Sequence, residues 1–310
     1  MAPKFIIDCD PGHDDAMALL MAGQLADVLG ITVVSGNAPL EATVRNTLII
    51  AQVLGLDVPI HAGAARPLLA PARHATHVHG ITGLDGPVHP KVERTVDSND
   101  AVSFIIETVR AVDDVWLVPI GPLTNIALAL RQAPDIAERI AGISIMGGSA
   151  TVGNVTPMGE FNVWADPEAA AIVFESGAHI RMAGLNVTHQ YYVDRQVISE
   201  LREMSDGGRH HAATFAADLF DFYVGSYMTR TGKERVALHD PVAVMAVTHP
   251  ELLEMESRHV VVEIAGKHTR GMTVVDERGF GAASTNCDVG YSIDRDKAMR
   301  LFLDTIATYT

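Results

Sequence analysis

Only two cysteines, Cys9 and Cys287, occur in 310 residues. That is too few for a disulfide framework, and no Cys-x-x-Cys spacing offers a zinc or redox site. Both read as buried small hydrophobes. Basic residues are scarce: 23 Lys and Arg against 38 Asp and Glu leave a formal charge of -15. A nucleic-acid backbone or an anionic membrane would repel such a surface, so neither is expected as a partner, and a small neutral substrate fits better. No apolar run approaches the roughly 20 residues that cross a bilayer, and the N-terminus lacks a charged stretch leading into a long apolar one. A soluble cytoplasmic protein is expected. No strand leads into Gly-x-Gly-x-x-Gly or a Gly-x-x-x-x-Gly-Lys-Ser/Thr loop, so a nucleotide-phosphate cradle is not expected either.

What the chain does have is a carboxylate cluster at its start. The apolar stretch from Lys4 runs into Asp8-Cys9-Asp10-Pro11-Gly12-His13-Asp14-Asp15. Side chains alternate along a strand, so Asp8 and Asp10 share a face, and Pro11-Gly12 turns the chain. Asp14 and Asp15 then open an apolar helix, where orphan N–H groups and the helix dipole favour carboxylates. One such Asp is an ordinary cap. Four within eight residues repel by about 4 kcal/mol per pair at about 4 Å and an effective dielectric of about 20. A compensating cation or altered protonation is required.

Apolar content of 48% with 20% charged residues provides a sizeable core. Strands are expected at 31–35, 58–61, 115–118 and 143–146, separated by helices at 41–54, 101–110 and 123–131. This alternation predicts an α/β fold: a single domain over 1–310, with a mostly parallel central sheet, helices on both faces and a helical rim. Beyond Gly184 the pattern predicts helices at 194–204 and 209–229, one opened by His239-Asp240-Pro241, a strand pair at 258–264 and 271–276, and a closing helix at 295–309. In such sheets ligands bind beyond the carboxyl ends of the strands. The polar loops Gly36-Asn37, Gly121-Pro-Leu-Thr124-Asn125 and Gly147-Gly148-Ser149 should therefore meet the Asp cluster. The long segment 63–99, with its turn-rich core 78–87, reads as an ordered lid.

Three further segments stand out: Gly147-Gly-Ser-Ala-Thr-Val-Gly-Asn154; Gly159-Glu160-Phe161-Asn162 with Asp166-Pro-Glu168; and His239-Asp240-Pro241. With the first Asp motif, and in this order and rough spacing, they resemble the inosine–uridine-preferring nucleoside hydrolases. The resemblance implies a Rossmann-like nucleoside hydrolase fold, hydrolysis of the N-glycosidic bond of ribonucleosides, and a role in nucleoside catabolism and salvage. It implies one Ca²⁺ per subunit, held by Asp10, Asp15, Asp240 and the carbonyl of Thr124, with Asp10 also the base that activates water. Oxygen donors mixing carboxylate and carbonyl suit Ca²⁺ better than Mg²⁺. Asp14, Asn37, Asn154, Glu160 and Asn162 match ribose-binding positions, and Met146 a position under the sugar. A homodimer or homotetramer is implied as well.

The departing base needs a proton or its equivalent. His239, beside Asp240, is the natural acid, because imidazole titrates near neutral pH. His79, in a lid segment resembling the family's His-Gly-x-x-Gly-Leu-Asp-Gly, is the second candidate. The first motif looks most like the pyrimidine-preferring branch. Tyr223 and Tyr227, one helical turn apart, are placed to contact a pyrimidine, although the same spacing suits a core stripe. The only two Trp, Trp116 and Trp164, are expected in or beside strands, which gives little support to purine stacking. Two other readings stay open. A haloacid-dehalogenase-like phosphatase would share Asp-x-Asp after the first strand but gives Glu160-Phe161-Asn162 no purpose. A non-catalytic calcium-dependent nucleoside binder would not need both Asp10 and His239.

Overall fold

The computed structural model describes residues 2–75, 80, 82–278 and 284–309. His79 falls outside the described residues. The first strand, β1 (Lys4–Cys9), buries Phe5, Ile7 and Cys9 in one apolar core and Ile6 in a second one. A strand apolar on both faces belongs inside a sheet covered on both sides. β2 (Asp27–Val33), β3 (Ile60–Ala62), β4 (Val115–Pro119), β5 (Gly142–Met146) and β6 (Ile180–Ala183) continue it in parallel. Later come β7 (Tyr192–Asp194) paired with β8 (Arg235–Ala237), then β9 (Leu253–Arg258), then β10 (Val260–Val262) paired with β11 (Thr273–Val275), and β12 (Cys287–Ile293). The eight-stranded sheet has the order β3-β2-β1-β4-β5-β6-β12-β9. Only β9, antiparallel to β12, runs against the rest.

Helices α1 (His13–Leu25), α2 (Leu40–Leu54), α3 (Ala101–Ala111), α4 (Thr124–Gln132), α5 (Phe161–Ala165), α6 (Pro167–Phe174) and α7 (Leu185–Thr188) come first. They are followed by α8 (Arg195–Met204), α9 (His211–Thr231), α10 (Asp240–Thr248) and α11 (Arg295–Ala307). The core holding Phe5, Ile7 and Cys9 draws on α1, α2, α9, α10 and α11, while α3, α4 and α6 cover the opposite face. The mixed α/β architecture with helices on both faces is the expected one. Both cysteines are buried.

Several elements differ from their sequence reading. The strand expected at 31–35 begins at Asp27, because β2 pairs with Lys4 and Phe5 through a register shift after Phe5. β6 was not visible because Arg181 interrupts it. Its guanidinium lies over the Trp116 ring and donates to the Ala246 carbonyl, so the charge is accommodated within the sheet's edge of the core. Asp288, Gly290 and Ser292 likewise hide β12, and the predicted pair 258–264 and 271–276 shrinks to the short β10–β11 pair. Trp164 lies in helix α5, not beside a strand, with Arg73 over its ring.

The order places a switch point at β1. The chain leaves β1 to build β2 and β3 on one side and returns to place β4 on the other. A crevice between diverging loops opens beyond the carboxyl ends of β1 and β4, where open α/β sheets bind ligands.

Candidate active site

β1 delivers Asp8 and Asp10 into that crevice, both fully buried. Asp8 accepts hydrogen bonds from the Thr32 hydroxyl at 2.6 Å and the Asn125 amide at 2.7 Å, yet burial still pushes its carboxyl up to about 7. Asp10 Oδ2 accepts the backbone N–H of Asn37 at 2.6 Å. Its Oδ1 has no hydrogen-bond partner among the described residues. The fit is close: a Cβ on Gly36 would lie 2.0 Å from Asp10 Oδ2, and one on Gly121 would lie 2.5 Å from Oδ1. Only glycine in both loops admits the carboxylate, so neither Gly36 nor Gly121 is a mere turn former.

Helix α1 begins at the next bend. Asp15 accepts the N–H groups of Asp10 at 3.1 Å and Gly12 at 2.8 Å, and the side-chain amide of Asn37 at 3.3 Å. Pro241 in the first turn of α10 presets that helix and leaves Asp240 at its start, facing α1. Carboxylate oxygens of Asp14, Asp15 and Asp240 all lie within 4.8 Å of one another. Asp240 and Asp15 lie close enough that a proton or a cation must relieve their repulsion. Burial first, and neighbouring carboxylates next, hold Asp10 and Asp240 well above the ordinary range. Burial also raises Asp14 to about 7 and Asp15 to about 6. Thr124 starts α4 with its hydroxyl on Asp166 Oδ2 at 2.7 Å.

This all-oxygen, buried, mutually repelling set fits a hard divalent cation. The tightest group contains Asp14 in addition to the expected Asp15 and Asp240, while Asp10 contacts Asp15 through its backbone N–H and its carboxylate is not among these oxygens.

A cavity of about 400 Å³ opens above the carboxylates. Asp14, Asn37, Met146 and Asp240 line it. So do Asn154, Glu160, Asn162, Tyr223, Tyr227 and His239. Asp10, Asp15 and Thr124 are not on its wall. Glu160 caps α5, its carboxylate accepting the N–H groups of Asn162, Val163 and Gly148; burial pushes it up to about 7. Asn162 spends its NH₂ on the carbonyls of Ile120, just after β4, and Met146, the last residue of β5, both at 3.0 Å. Its Oδ1 accepts no hydrogen bond among the described residues and lies at the cavity. Asn154 Oδ1 takes the Phe161 N–H at 3.0 Å. Asn37 is occupied with Asp10 and Asp15, so it orients the carboxylates as well as lining the wall.

His239 is half-buried, with Nδ1 at 2.7 Å from the Thr188 hydroxyl. Burial, with a smaller contribution from His189, pushes its imidazole down to about 3, so the ring is neutral at pH 7. Its backbone N–H bonds Asp14. On the other flank His13 stacks between Phe222 and Tyr223, with ring centroids 5.3 and 5.0 Å away, and its Nε2 bonds the Asp85 carbonyl at 2.8 Å. Asn46 donates to the carbonyls of Pro11 and Thr82. The lid segment is thereby tied to the Asp loop.

The sequence match agrees with this geometry, since the inosine-uridine preferring nucleoside hydrolase model covers residues 5–300. The chain belongs to the inosine-uridine preferring nucleoside hydrolase family. As a nucleoside hydrolase it is 40% identical over 296 residues to the pyrimidine-specific ribonucleoside hydrolase RihB of Escherichia coli, covering 94% of this chain and 93% of that one. A solved purine-preferring ribonucleoside hydrolase from Gardnerella vaginalis superposes with a TM-score of 0.91 at 33% identity, over 98% of both chains. The plant nucleoside hydrolase PpNRh1 gives 0.89 at 28% identity, over 99% of this chain and 100% of that one.

Sequence reasoning missed residues that hold the hydrolase site in shape. Asn125 and Thr32 grip Asp8, Asp166 grips Thr124, and Thr188 meets His239. Asn125 and Asp166 sit inside motifs already singled out. Thr188 and the cavity-lining His189 carry no local signature.

Proposed function

We propose that this chain is a calcium-dependent ribonucleoside hydrolase that prefers pyrimidine substrates such as uridine and cytidine, releasing ribose and free base for nucleoside salvage. The observation that carries the reading is one cavity lined by Asp14, Asp240, Glu160, Asn162 and His239. Carboxylate and amide acceptors complement the three hydroxyls of ribose, and the imidazole stands where a base would depart. The preference for pyrimidine is supported by the likeness to RihB.

Asp10, Asp15, Asp240 and the Thr124 carbonyl, with Asp14 close by, would hold the cation, which supplies positive charge against the carboxylates and lowers the pKa of water in the site. Asp10, with Oδ2 fixed by Asn37 and Oδ1 uncommitted, accepts a proton from that water. The water oxygen bonds the anomeric carbon as the C–N bond breaks, through an oxocarbenium-like state. Asp14, Glu160 and Asn162 grip the hydroxyls and hold the sugar in line. The electron pair of the broken bond goes to the base. His239 is neutral, and when the Thr188 hydroxyl donates to Nδ1, Nε2 carries the hydrogen that meets that charge. A neutral donor is a different role from the imidazolium expected from sequence. His79 remains the second candidate for this position.

The test is release of reducing sugar from uridine, cytidine, inosine and adenosine, before and after metal removal. Binding of nucleosides without sugar release would leave only a binder, and faster release from inosine would overturn the pyrimidine preference. Sedimentation velocity distinguishes the proposed homodimer or homotetramer from a monomer.

A further inference from the structure

The cavity has an inner and an outer end, and α9 measures the distance between them. Tyr223, Tyr227 and Thr231 all line it at intervals of four residues. At about 1.5 Å of rise per residue, Thr231 lies about 12 Å further along the helix axis than Tyr223. Tyr223 stacks on His13, the residue before Asp14, so its end of the helix is the carboxylate end. Thr231 marks the opposite end, and His189, which also lines the cavity, has Lys233, two residues beyond Thr231, as its electrostatic neighbour.

His189 follows the last turn of α7, exposed at the rim, and its ring meets the edge of His239 at 5.6 Å and 62°. Most polar side chains deeper in the cavity are already occupied: Asn37 holds Asp10 and Asp15, the Asn162 NH₂ holds two carbonyls, and His239 holds Thr188. His189 differs. Neither ring nitrogen has a hydrogen-bond partner among the described residues, and its electrostatic neighbour is Lys233, outside the carboxylate cluster. A neutral imidazole offers one donor and one acceptor, and its two tautomers exchange them.

We propose that His189 is a base-contacting residue that meets the exocyclic group of the pyrimidine at the end of the cavity away from the ribose. The proposal rests on the hydrolase reading above. Exchange of donor and acceptor lets the same ring meet the carbonyl of uracil or the amino group of cytosine. Both bases are then served by one side chain, and loss of the ring costs both alike.

The experiment compares the parent chain with His189→Leu, which removes donor and acceptor, and His189→Gln, which keeps both. Kinetics on uridine and cytidine are read beside the inhibition constant of free ribose, a probe of the inner end only. In His189→Leu, kcat/KM for both nucleosides is expected to fall about tenfold, mainly through KM, with ribose inhibition unchanged and most of the loss restored in His189→Gln. Unchanged kinetics on both nucleosides would overturn the assignment. So would a parallel weakening of ribose, which would mark a general distortion. A parent chain that releases no ribose from either nucleoside fails the hydrolase reading itself, an outcome visible before any variant is made.

Discussion

The backbone N–H of Asn37 donates to Oδ2 of Asp10 at 2.6 Å, and this single bond decides which oxygen of the carboxylate is left for chemistry. Oδ1 has no hydrogen-bond partner among the described residues. Asp10→Asn keeps the shape but removes the charge and the basic oxygen. It is expected to lower kcat on every nucleoside by roughly 10²–10⁴-fold, the usual contribution of a positioned base. Rates on uridine and inosine should fall together. A variant that retains parental kcat with intact fold would exclude Asp10 as the base.

Metal removal should act on stability with a defined sign. Burial lifts the folded-state pKa of Asp14 to about 7 and of Asp15 to about 6 from an ordinary 3.8. A carboxyl raised on folding favours the folded state below the unfolded value and loses that contribution as pH rises through the folded value. The metal-free protein should therefore lose stability between about pH 4 and 7. A cation would bind the deprotonated carboxylates, so stabilisation by added Ca²⁺ should be larger at pH 7 than at pH 5. Melting curves in chelator and in added Ca²⁺ at both pH values check this. Equal melting temperatures with and without Ca²⁺ at pH 7 would contradict it.

The proposed ribose contacts predict discrimination at the sugar. Asn162 is pinned by two bonds from its NH₂ and presents Oδ1, while Asp14 and Glu160 are buried acceptors beside it. A site built to take a hydroxyl hydrogen leaves buried acceptors unpaired when that hydroxyl is missing. 2′-Deoxyuridine should be poorer than uridine by at least about tenfold in kcat/KM. Comparable efficiency on the two substrates would remove Asp14, Glu160 and Asn162 from this role.

Much of this arrangement was legible in the sequence because its signals are local. The Asp8–Asp15 run, the Asp240-Pro241 helix start and the glycine loops after strands each follow from short-range rules of strand ends, caps and turns. The mostly parallel sheet with helices on both faces followed from alternating strands and helices, and the Rossmann-like fold from the family resemblance. What escaped depends on contacts between distant segments. Arg181 is tolerated in β6 only because Trp116 and the Ala246 carbonyl receive it. Thr188 has meaning only once His239, 51 positions later, arrives beside it. His239 was singled out and lines the cavity, but the protonation of its ring was not legible, since desolvation is a property of the fold.

That desolvation shapes the last prediction. With its imidazole pushed down to about 3 by desolvation, His239 is a neutral donor across the ordinary working range. Its value to catalysis then depends on how much charge the departing base must bear. Uracil leaves with charge on nitrogen and oxygen and needs the Nε2 hydrogen, whereas 4-nitrophenolate carries its own charge stably. His239→Ala should therefore cripple uridine hydrolysis, by roughly 10²-fold or more, and spare much of the activity on 4-nitrophenyl riboside. The parent profile should also lack a loss of activity at mildly acid pH that tracks an imidazole of ordinary pKa. If the variant loses both substrates equally, with fold and metal content intact, the leaving-group role passes to another residue. His79→Ala, measured on the same two substrates, is then the next comparison.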